Sequence, residues 1–157
     1  MMGLLLMLSF SLAVLACAWL LTPQQRPWAR RSLLLVLGML LLGMLLPASA
    51  IQWFQQWLGP LLGDDVNAPS GMTAVAAHLA LFMLAGLLVG RMLSGMGWLK
   101  VAGFLAGLAV MTEAMQHFSP GRHPSLIDVG YNLLGIGLGL GFLLLLDRNS
   151  ARDTAPA

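Results

Sequence analysis

The chain has 157 residues, 59% of them hydrophobic and 9% charged, with a mean hydropathy of +0.84 and a formal net charge of +2. A soluble domain carries roughly a quarter charged residues, so a soluble fold of this length could not hide so much apolar surface, and a bilayer must cover it. The single cysteine, Cys17, excludes an intrachain disulfide and any multi-cysteine metal site; the basic residues stand singly at segment ends and form no stripe for nucleic acid.

About 20 apolar residues span a bilayer as a helix. The first candidate runs from Gly3 to Leu21. It lacks a basic leader, and its apolar run continues past Val14-Leu15-Ala16-Cys17, which argues against a lipoprotein processing site. Thr22-Pro23 signals a turn. The second candidate is Ser32–Ala50, with Pro47 making its end the least defined. Ile51 to Leu62 interleaves Trp53, Phe54 and Trp57 with Gln52, Gln55 and Gln56. That pattern suits either a short interfacial amphipathic segment or an aromatic belt ending the second span. A polar loop, Asp64 to Gly71, follows. Thr73–Leu93, Leu99–Phe118 and Ile127–Leu146 complete five spans, with Ser119-Pro120-Gly121 as a turn between the last two. The expected fold class is therefore an all-α integral membrane protein of about five transmembrane helices. One helical membrane domain covers 1–148, and 149–157 form a short disordered polar tail.

Small residues recur at helical spacing: Gly86 with Gly90, Gly103 with Gly107, and Gly135, Gly137, Gly139 and Gly141 in the last span. They predict close packing among spans three, four and five.

Lys/Arg asymmetry predicts orientation. Arg26, Arg30 and Arg31, then Arg91 and Lys100, then Arg148 and Arg152 fall in regions that alternate with poorly basic loops. The N-terminus is expected outside and the C-terminus in the cytoplasm, in a multi-pass cytoplasmic (inner) membrane protein.

The same reading puts a polar constellation at the outer face. Glu113, Gln116 and His117 share one face of the fourth span, and Asp128 and Asn132 are i+4 neighbours on the fifth. Asn132, Gly135 and Gly139 continue one stripe, so the polar face is also the close-packing face. Arg122 in the connecting loop can reach a carboxylate on either helix, or a ligand. His78, with Phe82 at i+4, lies at a depth similar to Glu113 and could form a proton-transfer pair with it. His117 and His123 read as interfacial residues. Charges inside hydrocarbon cost ~2.5–3.5 kcal/mol or more, so these residues need partners, water or a role. His78, Glu113 and Asp128 are the candidate catalytic groups, and Arg122, Gln116 and Asn132 the candidate ligand-binding groups. Their structural reading is an ion pair and interhelical hydrogen bonds that fix the hairpin. No ligand spacing for a metal and no cofactor motif is present.

At these residues the chain resembles the VanZ-like family of small bacterial membrane proteins. The resemblance lies in Glu113-Ala-Met-Gln116-His-Phe-Ser-Pro-Gly-Arg122 and Ser125-Leu-Ile-Asp128-Val-Gly-Tyr-Asn132-Leu-Leu-Gly135, with His78 and Phe82 upstream. It covers roughly the last half of the chain. The family often has Asp-Lys shortly before the His, where this chain has Ala74 and Val75; Asp64 and Asp65 are the candidates to replace them. The family-like core would be roughly 32–147, with the first span, 3–21, added ahead of it. The resemblance implies a bacterial envelope setting and does not itself fix an activity.

Three functions follow as expectations. One is binding or processing of an envelope lipid or lipid-linked glycan at the outward polar site, with Arg122 holding an anionic headgroup and His78 or Glu113 as acid/base if the protein is an enzyme. Another is an accessory or structural subunit whose polar cluster locks helix packing. A small transporter ranks third, because no inverted repeat and no mid-span charge is visible. Enzyme status and oligomeric state are left open by the sequence.

Overall fold

The computed structural model describes residues 2–22, 26–62 and 70–153. Among them there are only helices and turns. α1 is Met2–Leu21, α2 Pro27–Leu45, α3 Ala48–Leu62, α4 Ser70–Met92, α5 Trp98–Gln116 and α6 Leu126–Asp153. Five of these helices, all but α3, are long and apolar enough to cross a membrane, so this is an all-α protein with the build of a multi-pass membrane protein. Asp64 and Asp65 lie outside the described residues.

The boundaries differ from the sequence reading where proline acts. α2 starts at Pro27, five residues before the expected Ser32, because proline at the first helical position forfeits only an N–H that has no helical partner. It ends at Leu45 instead of Ala50. Leu46 is extended (φ −59°, ψ 139°), the conformation that a following proline imposes. Pro47 then opens α3, its carbonyl accepting the N–H of Ile51 at 3.2 Å. The aromatic segment is thus a separate helix and not the end of the second span. Trp53 and Trp57 on it are both exposed. α6 continues to Asp153, past the expected end at Leu146 and into the polar tail, whose residues 154–157 lie outside the described residues.

The core is built from Leu33, Leu37, Leu40 and Met44 of α2, Phe82, Ala85 and Val89 of α4, Val101, Leu105 and Leu108 of α5, and Ile136 and Leu140 of α6. α1 packs on α2, α2 on α4 and α5, and α6 on α4 and α5. Outward-facing leucines such as Leu35, Leu42, Leu134 and Leu138 are exposed, as a lipid-facing surface requires.

The most intimate contact is between α4 and α6. A Cβ on Gly135 would lie 2.6 Å from the Leu79 carbonyl oxygen, one on Gly86 2.9 Å from the Ile136 carbonyl oxygen, and one on Gly139 against the Met83 carbonyl oxygen. Lipid tails are as apolar as leucine, so helices in a bilayer gain from close van der Waals packing instead of water exclusion. Half of the glycine pattern does this. Gly103, Gly107, Gly137 and Gly141 face open space, where a Cβ would meet nothing within 4 Å. Gly139→Ala is therefore expected to lower stability by ~1–3 kcal/mol through overpacking, whereas Gly137→Ala, two residues away, should raise it by ~0.5–1 kcal/mol through helix propensity. Unfolding in detergent followed by circular dichroism reads both; equal effects would refute the assigned faces.

Candidate functional site

The site begins with the α4–α6 contact, because that contact brings polar side chains within bonding range. His78 Nδ1 donates to Asn132 Oδ1 at 2.9 Å, with both side chains buried. Asn132 sits one turn before Gly135, at the end of the stripe where the two backbones approach. Phe82, one turn after His78, is fully buried, and a Cβ on Gly135 would lie 3.2 Å from its own Cβ.

α5 contributes Glu113 and Gln116, both almost completely buried. Glu113 Oε1 accepts the backbone N–H of Ser125 at 2.8 Å. Ser125 immediately precedes α6, and its Oγ accepts the N–H of Asp128 at 3.4 Å. Ser-x-x-Asp at a helix start ordinarily forms a reciprocal box in which the acidic side chain reaches back to the Ser N–H. Here the carboxylate of Glu113, arriving from another helix, occupies that N–H. The N-terminal end of α6 carries partial positive charge, which favours an anion there. Asp128 is left half-buried at the rim, free of the local capping role. The capping signal was present in the sequence at Ser125 and Asp128; the substitution of Glu113 for Asp128 in it was not.

Arg122 departs from expectation in its partner. It closes no ion pair with Glu113 or Asp128; its guanidinium instead donates to the Met44 carbonyl oxygen at 3.5 Å. Its neighbours in the loop do the same work. Ser119 Oγ donates to the Leu45 carbonyl oxygen at 3.2 Å, and the Pro120 carbonyl accepts the N–H of Ala48 at 3.2 Å. The loop caps the open C-terminal end of α2, where the last carbonyls lack helical partners and a cation is favoured. Gly121 allows the fit: its φ of 74° favours glycine, and a Cβ there would lie 3.1 Å from that of Ala48. His117 is exposed, because α5 ends at Gln116 and the chain turns away before the buried face can continue. His123 is exposed as well.

Three buried side-chain atoms of the constellation have no hydrogen-bond partner among the described residues: Glu113 Oε2, Gln116 Nε2 and Asn132 Nδ2. Each such group costs ~1–3 kcal/mol when left unsatisfied. They offer one acceptor and two donors on the facing helices α5 and α6. Among the described residues, no group of three or more His, Cys, Asp or Glu side chains is placed to hold a metal ion.

Comparison with family models, with curated proteins and with solved structures finds no match to this chain. The geometry of the site therefore carries the functional argument.

The His78–Asn132 bond has a measurable signature. Asn132→Ala leaves the His78 donor buried and unpaired and should destabilise the protein by ~1–3 kcal/mol. In a double-mutant cycle with His78→Phe, a coupling of ~0.5–3 kcal/mol is expected from thermal or denaturant unfolding; additive effects would show that the bond contributes nothing.

Proposed function

We propose that this chain is a VanZ-like polytopic protein of the bacterial envelope, resident in the cytoplasmic membrane, that binds the polar part of an envelope lipid or lipid-linked glycan at the α4–α5–α6 site. The observation that carries the reading is the set of unpartnered atoms on Glu113, Gln116 and Asn132, which are 3%, 1% and 0% exposed. Burying three unsatisfied polar atoms in a protein of this size is costly and calls for a compensating ligand group. A hydroxyl fits the set: it donates to the Glu113 carboxylate and accepts from an amide N–H of Gln116 or Asn132. Glycans and polyol headgroups carry many hydroxyls. The Lys/Arg distribution, which favours an outward-facing site, and the order and spacing of the family-like residues support the same reading.

If the site also performs chemistry, the buried His78 imidazole and Glu113 carboxylate are the acid/base candidates. Asn132 holds the imidazole through Nδ1, which turns Nε2 away from that bond and makes it the nitrogen able to accept a proton. Arg122 and Asp128, at the rim, would meet the charged parts of a headgroup.

A second reading has its own support. The bonds from Arg122 to Met44, Ser119 to Leu45 and Ser125 to Glu113 tie three helix ends together, as a packing lock in an accessory subunit would. Glu113→Gln separates the two. Its side-chain carbonyl keeps the Ser125 bond, while the acceptor Oε2 becomes a donor. The site reading expects binding of a glycosyl-diacylglycerol in nanodiscs to weaken by about tenfold, or ~1.4 kcal/mol, with little change in melting temperature. Unchanged binding in folded Glu113→Gln and Gln116→Ala proteins would leave the lock as the better account.

A further inference from the structure

α1 and α2 are held together at one end and apart at the other. Near the Arg-rich loop, Arg30 stacks on the Trp19 ring at 3.1 Å from its centroid and donates to the Trp19 carbonyl at 2.6 Å, while Ala18 and Thr22 are buried. In the opposite half, a groove of about 340 Å³ separates the helices. It is lined on α1 by residues from Leu4 to Leu15 and on α2 and its C-terminal extension by residues from Gly38 to Pro47. Ser11 is the one hydroxyl in the lining, and its Oγ is turned to the Met7 carbonyl of its own helix at 2.9 Å. An occupant of this groove meets a lining that is almost entirely hydrocarbon.

The groove has the length of one leaflet. At about 1.5 Å per residue, Leu4 to Leu15 of α1 rises roughly 16 Å, against a half-thickness of ~15 Å for the hydrocarbon core. The α5–α6 loop adjoins the Leu45–Pro47 end of the groove. Ser119 bonds the Leu45 carbonyl, Arg122 bonds the adjacent Met44 carbonyl, and a Cβ on Gly3 would lie 3.0 Å from the Phe118 carbonyl oxygen. A permanent cation, Arg122, therefore stands where an acyl chain in the groove would join its headgroup, with the exposed imidazoles of His117 and His123 in the same loop.

We infer that the α1–α2 groove is a binding site for one acyl chain of an anionic phospholipid, with its phosphodiester against Arg122. The inference rests on the reading above in that both take a lipid from the same leaflet and both set Arg122 against its headgroup. The groove supplies shape and length; Arg122 supplies the preference for negative charge.

Gly38 makes the site testable without harm to the fold, because a Cβ there meets nothing within 4 Å and a larger side chain enters the groove. The full chain is reconstituted in nanodiscs doped with phosphatidylglycerol or phosphatidylcholine carrying a mid-chain diazirine, and crosslinked peptides are quantified. Labelling of 4–15 and 38–47 should exceed that of the lipid-facing α6 surface at Leu134 and Leu138 by about tenfold, a difference of ~1.4 kcal/mol in occupancy. Phosphatidylglycerol should label more than phosphatidylcholine, and Arg122→Gln should erase that difference. Gly38→Phe should abolish the excess while the melting temperature holds. Even labelling along all helices, an excess that survives Gly38→Phe, or equal labelling by the two lipids would each overturn the inference. Unchanged glycolipid binding in Glu113→Gln overturns the polar-site reading and leaves a positive groove result standing; even acyl labelling does the reverse.

Discussion

Hydrocarbon offers a polar side chain nothing to bond to, so a polar site inside a bilayer exists only where helices come close enough to satisfy one another. In this protein that closeness comes from missing Cβ atoms. Gly135 and Gly139 of α6 lie against the backbone of α4, and Gly86 of α4 lies against that of α6. His78 and Asn132 meet as a consequence. With α4 and α6 fixed, α5 fits beside both, and Glu113 falls at the start of α6.

Glu113 then does two things at once. One oxygen replaces the local cap of α6 by taking the Ser125 N–H, and the other is buried without a partner among the described residues. A carboxylate anchored on one side and unsatisfied on the other is positioned and under-bonded, a combination suited to receiving a ligand group. The loop that follows is committed differently. Ser119, Pro120 and Arg122 all bond to the α2–α3 junction, so the residues that look most available for ligand in the sequence serve the fold as well.

The division between what could and could not be read from the sequence follows from the range of the interactions. Spans and breaks are local, set by runs of apolar residues and by Pro47 and Pro120; the five spans were legible, whereas the start of α2 at Pro27, its end at Leu45 and the extension of α6 to Asp153 were not. The stripe of Asn132, Gly135 and Gly139 was legible too, since helical periodicity fixes a face. Partners across helices were not. Nothing in the spacing of Gly103 and Gly107 distinguishes them from Gly86 and Gly90, yet only the latter pair meets other helices. Arg122 was expected to seek a carboxylate because charge complementarity is what a sequence displays; the uncapped carbonyls of α2 are backbone groups and leave no trace in residue identity. The pairing of His78 with Asn132, 54 positions apart, required the fold.

The cap on α2 also bears on how the chain assembles. The Leu45 carbonyl is bonded by a hydroxyl 74 residues further on, and the Met44 carbonyl by a guanidinium 78 residues further on. At about 5–20 residues per second of synthesis, the end of α2 waits roughly 4–15 s for those partners. During that interval its terminal carbonyls lack those partners, and Pro47, which stops the helix at Leu45, fixes which carbonyls are left open. The break at Leu46–Pro47 is thus a holding point for a nascent membrane protein as well as a corner in the finished one.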